Sequence, residues 1–136
     1  MAQLNFHKNL AINAPPPAGQ LIVISKEKEA YQYWQSLHRN FPRTERFSIG
    51  QKISQTFIEL LELTFTASYL SPEQKIVLLT KASSRLDILK FFIQLAWENK
   101  LVPTEKYIEF SKKLEEIGRM IGGWKKGLLQ KKTLAR

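Results

Sequence analysis

Cysteine is absent from the 136 residues, which rules out a disulfide framework and any thiolate metal site. Nothing else in the composition points to an oxidising compartment, so a cytoplasmic setting is expected. Long hydrophobic runs are also missing. The most apolar short stretch, Leu21 to Ile24, falls far below the roughly 18 residues needed to span a bilayer, and no membrane association is expected. The N-terminus has no basic region followed by an apolar stretch and a small-residue cleavage site, so a secretory signal is not expected either. Histidine is scarce. His7 and His38 each lack a glutamate three residues before them, so the Glu-x-x-His pattern of bundle metalloenzymes is missing and neither a metal nor a cofactor is expected. No glycine loop opens a helix after a strand, as phosphate cradles require. The serines have no evident His and Asp partners for nucleophilic catalysis. Glu59 with Glu62, and Glu115 with Glu116, are paired carboxylates, but they read as solvated acidic patches before acid and base machinery. The expectation is a protein that is not an enzyme.

Apolar residues make up 43% of the chain, enough for one compact domain with a single core. Charge is strongly one-sided: 21 Lys and Arg stand against 12 Asp and Glu, for a net +9 and a pI near 9.9. Such an excess suits a polyanion through counterion release and electrostatic steering, or it is an inert basic surface. Its distribution helps to decide. From Arg119 to Arg136 the chain has Arg119, Lys125, Lys126, Lys131, Lys132 and Arg136 and no acid, which reads as a basic tail over 125–136.

Residues 1–24 carry one charged residue, Lys8, and the break Pro15-Pro16-Pro17-Ala18-Gly19, and they read as an extended arm. Its apolar residues strap the arm to the bundle or to a neighbouring subunit, or the arm is a disordered tail. A bundle is expected over 25–124. Ser25 before Lys26-Glu27-Lys28-Glu29 is an N-cap pattern with acids in the first turn, and Ala30, Trp34, Leu37 and Phe41 follow at helical spacing up to Pro42. Thr44 can cap a long second helix on Ile53, Phe57, Leu60, Thr64 and Ala67, reaching about Leu70. Ser71-Pro72-Glu73-Gln74 is a capping box with proline at the first helical position. The third helix repeats Leu79, Ala82, Leu86, Leu89, Ile93 and Ala96 at spacings of three and four, the seam of a bundle. Ile88, Phe91, Phe92, Leu95 and Trp97 widen that apolar surface, which predicts a second burial surface. A fourth helix opens at Pro103-Thr104-Glu105 on Tyr107, Phe110, Leu114, Ile117 and Ile121 and is expected to end at Gly122-Gly123. Short links favour an all-α, antiparallel up-and-down four-helix bundle.

The candidate binding residues are the cations that helices hold in fixed directions. At about 100° per residue, Lys81 points away from the third-helix seam while Arg85 and Lys90 flank it, where they either meet phosphates or snorkel along apolar surface. Arg43 and Arg46 bracket the start of the second helix, with Lys52 beyond. Cations there oppose the helix dipole, so helix stability does not explain them. Trp124 beside Lys125 and Lys126 either stacks on a base or packs over the end of the bundle.

The stretch Leu114-Glu115-Glu116-Ile117-Gly118-Arg119-Met120-Ile121-Gly122-Gly123-Trp124 resembles the helix-four signature of the Avd-type accessory proteins of diversity-generating retroelements. The Phe41-Pro42-Arg43 turn and the run Leu86-Asp87-Ile88-Leu89-Lys90-Phe91-Phe92 are similar to the family's as well, and the likeness covers roughly residues 21–127. The resemblance implies a basic four-helix bundle assembled as a homopentamer. Its partners would be a reverse transcriptase and nucleic acid, RNA first and DNA second, in support of mutagenic cDNA synthesis. By position it implies binding roles for Lys90 and Arg119, while Gln94 departs from relatives that carry a second basic residue there. A sister group of bundles encoded in intervening sequences of ribosomal RNA genes shares the architecture. A protein-interaction module with no retroelement role is the remaining alternative.

Overall fold

The computed structural model describes residues 18–134, with side chains over 22–133. Four long helices and one short one follow in order: α1 Ala18–His38, α2 Arg43–Arg46, α3 Ile49–Ala67, α4 Pro72–Glu98 and α5 Thr104–Leu134. Among the described residues there is no strand, and no helix is long and apolar enough to cross a membrane.

The four long helices form a bundle in which α1 packs on α3 and α5, and α4 packs on the same two from the far side. Every neighbouring pair runs antiparallel. Along α1 and α5, Lys26 meets Glu116 and, further on, Tyr33 donates to Glu109. Glu27 with Thr64 and Trp34 with Ser54 set the register of α1 and α3. Arg85 with Glu59 and Lys52 with Phe92 do so for α3 and α4. Lys90 with Glu115 and Trp97 with Thr104 fix α4 against α5.

The core is the set of seam residues read from spacing. Ala30, Trp34, Leu37 and Phe41 are buried, as are Ile53, Phe57, Leu60, Thr64 and Ala67, and the whole third-helix row from Leu79 to Ala96. Phe110, Leu114, Ile117 and Ile121 complete it, while Tyr107 is only half-buried. Aromatic rings fill the end where α1 turns into α3. Trp34 stacks near Phe110 and meets Phe41 edge-on, and Phe57 stacks near Phe110 from the other side.

Three boundaries differ from expectation, each for a packing reason. The first helix begins at Ala18, not at Ser25. Val23 is buried one turn before Glu27, on the same stripe as Ala30 and Trp34, and this burial outweighs the weak helix preference of the β-branched run Ile22-Val23-Ile24. Residues 18–24 therefore belong to the bundle, and the rest of the expected arm, 1–17, lies outside the described residues. The second helix does not start at Thr44. Arg43–Arg46 forms one turn with Pro42 in the cap position and no side-chain cap bond, and the chain restarts at Ile49. Gly50 is needed at that restart, since a Cβ there would sit 2.7 Å from His38 Cδ2 and 3.1 Å from the Glu45 carbonyl oxygen.

The last helix does not end at Gly122-Gly123 but runs to Leu134. Each glycine costs a helix roughly 1 kcal/mol, yet Trp124 and Leu128 continue the Ile117 and Ile121 row and pack on the core. The expected basic tail is thus helical as far as Leu134. In contrast, the start of α4 is as read: Ser71 accepts a hydrogen bond from the Gln74 amide with proline at the first position. The α4–α5 link closes with Leu101 N–H donating to the Ala96 carbonyl and Lys100 N–H to that of Trp97, which places Lys100 in the left-handed region at φ 63°.

Candidate nucleic-acid interface

The bundle sorts the candidate cations into three groups. Arg43, Arg46 and Lys52 lie at the end where α1 turns into α3. Arg46 Nε donates to the Phe41 carbonyl at 2.9 Å and so fastens the turn. Lys52 stands 6.0 Å over the Phe92 ring, while Arg43 is exposed. Their position against the helix dipole is explained at least in Arg46 by a structural bond.

The second group lies along the middle of α4 and is already engaged. Arg85 Nε sits 3.3 Å from Glu59 and Lys90 Nζ sits 2.9 Å from Glu115. The Lys90 bond and charge, with Arg119 one turn further on, hold the Glu115 carboxyl below its ordinary range. Arg85 and Lys81 line an open groove of ≈ 570 Å³ between α3 and α4, with Glu59, Glu62, Leu78 and Ile88 on its walls. Two carboxylates in that groove oppose a polyanion. Gly118 lets α5 approach this part of α4, since a Cβ would lie 3.2 Å from Leu86 Cδ2 and 3.6 Å from Lys90 Nζ.

The third group gathers at the opposite end. Because α5 continues past the glycine pair, Lys125, Lys126, Lys131 and Lys132 are carried along the first turns of α4, where Lys75 stands, while Lys81 faces the α3–α4 groove. Lys75 was not singled out by the sequence reading, and its signal lay in the register alone. Its ammonium is held below the ordinary lysine range by burial and, after that, by the nearby charge of Lys131. Arg119 is exposed between the second and third groups. Trp124 takes the packing role: its ring lies against the core and its indole N–H is buried without a partner.

A further residue escaped notice because it looked like an ordinary first-turn acid. Glu27 is fully buried on α1. Its Oε1 accepts from the Thr64 hydroxyl at 2.5 Å, a hydroxyl also within 3.1 Å of the Leu60 and Leu61 carbonyls, and its Oε2 has no partner. Burial pushes this carboxyl up to about 8. On the α5 side of the same helix, Tyr33 donates to Glu109 at 2.8 Å and is raised to about 12 by burial and then by that carboxylate.

Among the described residues, no group of three or more metal-ligating side chains converges. What remains is a helical scaffold with a dense cationic end and a mid-bundle belt of ion pairs. The family model described as bAvd-like matches residues 21–128, most of the chain, and the protein belongs to that family. No curated protein matches it.

Proposed function

We propose that this protein is the accessory subunit of a diversity-generating retroelement, binding the reverse transcriptase and template RNA so that the polymerase carries out mutagenic cDNA synthesis. The chemistry belongs to the polymerase, and this chain contributes charge and shape. Membership of the bAvd-like family over residues 21–128 is the observation that carries the reading, and the net +9 supports the nucleic-acid half of it. DNA is the second candidate ligand, since a phosphate backbone is common to both.

Self-association is part of the proposal. Val77 and Phe91 on α4 are 54% and 60% exposed, and with half-buried Ile88 they fall within an arc of roughly 60° at 100° per residue. An apolar row of this kind on an outer helix face suits a subunit interface, in keeping with the pentamer that the resemblance implies. The alternative of a protein-interaction module without RNA is separated by salt. Binding to a short RNA is expected at about 50 mM salt and is expected to fall steeply by about 200 mM. Absence of binding at low salt removes the nucleic-acid role, and failure of a co-expressed retroelement reverse transcriptase to co-purify removes the polymerase role.

A further inference from the structure

We infer that the phosphate backbone of RNA is held at one end of the bundle, on the surface formed by the last turns of α5 and the first turns of α4. This rests on the RNA-binding reading above and says which surface does it.

The antiparallel register makes the surface. Lys90 faces Glu115 and Leu86 faces Gly118, so each turn of α5 beyond Gly118 lies beside a turn of α4 before Leu86. Two segments distant in sequence, 72–81 and 124–133, are thereby brought alongside each other. The surface between them carries Lys75, Lys125, Lys126, Lys131 and Lys132, and the segments hold a single acid, Glu73, while Lys81 turns to the groove lined by Glu59 and Glu62. None of these five lysines has a carboxylate within ion-pair distance among the described residues, in contrast to Arg85 and Lys90. Cations already neutralised by a fixed carboxylate release few counterions when a phosphate arrives, whereas unpaired ones release them in full.

Like charges are also pressed together here without relief. Lys75 is partly desolvated and feels Lys131, an arrangement that costs the folded protein stability and that an anion between them reverses. Lys125 and Lys132 are seven residues apart, so they share a face of α5 about 10.5 Å apart along the axis. The α5 backbone just before and between them is bare, since a Cβ at Gly122 or Gly123, or at Gly127, would meet nothing within 4 Å. Packing does not require glycine at these positions, and their bareness lets a ligand backbone come close. Lys131 and Lys132 lie beyond the matched family segment, which ends at residue 128.

The test compares two full-length variants with equal loss of charge: K75Q/K131Q/K132Q at the basic end, and K28Q/K106Q/K112Q elsewhere. Each is titrated against a fluorescent single-stranded RNA of about 20 nucleotides across a salt series, with circular dichroism to confirm helicity. The first variant is expected to bind at least ten-fold more weakly at about 100 mM salt, with its log–log salt slope reduced by about 2, from three lost contacts at about 0.7 each. The second is expected to stay within three-fold of wild type. Equal weakening of both variants overturns the inference in favour of diffuse attraction, and so does wild-type binding by the first variant. Wild-type protein that binds no RNA defeats the functional reading itself, a result distinct from either.

Discussion

The two ends of the bundle are built from different materials. At the end where α1 turns into α3, Trp34, Phe41, Phe57 and Phe110 pack ring against ring, and Trp97 stacks on Tyr107 at the α4–α5 link. At the other end, glycines and lysines take over from Gly122 to Lys132. Aromatic rings bury much area and hold the helices in one register, while glycine and lysine do little for cohesion. Cohesion is thus concentrated at the end that holds the α1–α3 and α4–α5 turns, and the dense lysine cluster is left at the other end, where the chain reverses only once, between α3 and α4.

The strongest way to break this contrast is at the aromatic end. Trp34 is fully buried, and its indole donates to Ser54 Oγ at 2.9 Å. Trp34→Ala is expected to lower unfolding free energy by about 3–5 kcal/mol, measured by denaturant titration. A loss below about 1 kcal/mol would show that this end is not the anchor.

The next effect lies between the ends, at Glu27. The folded carboxyl keeps its proton up to about 8, whereas its ordinary value is 4.5. Between those values the folded protein binds a proton that the unfolded chain does not. Stability is therefore expected to fall as pH rises from about 4.5 to 8, by up to about 1.4 kcal/mol per pH unit, and to change no further from this group above that. Glu27→Gln is expected to flatten the dependence and to raise the midpoint of unfolding at pH 8. Parallel pH profiles for the two proteins would show that the carboxyl is ionised in the fold.

The smallest effect sharpens the contrast at the lysine end. Gly122→Ala and Gly123→Ala are each expected to stabilise α5 by about 0.5–1 kcal/mol, since the added methyl meets no atom and the unfolded chain loses freedom. Thermal melts of the two variants check this. If RNA binding weakens although stability rises, the bare backbone is part of the contact surface.

Much of this was legible in the sequence. The spacing of Leu79 through Ala96 marked buried positions correctly, because a helix between two neighbours must repeat its apolar residues every three or four. The family signature around Gly118 and Trp124 was readable for the same segment that the family model covers. Local punctuation misled at the start of α1 and at the end of α5. Ser25 and Gly122-Gly123 are good start and stop signals in isolation, but Val23 and Trp124 extend the buried rows past them. Tertiary burial outweighs local preference there. The charge partners were hidden for another reason. That Arg85 meets Glu59 and Lys90 meets Glu115 depends on how far each helix slides against the next. The neutral candidates and the free ones therefore look alike until the register is known. Glu27 was misread because glutamate is almost never found fully buried.

At Gly118, the absence of a single methyl group sets how closely two helices meet. With hydrogen in place of Cβ, α5 settles close enough to α4 for the Lys90 ammonium to pass over the backbone and reach Glu115. A methyl there would press to 3.2 Å on Leu86 Cδ2 and stand 3.6 Å from the ammonium, so the leucine would have to give way where the lysine crosses. The smallest residue in the helix thus sits at the crossing point of an ion pair that keeps the middle of the bundle's surface electrically quiet.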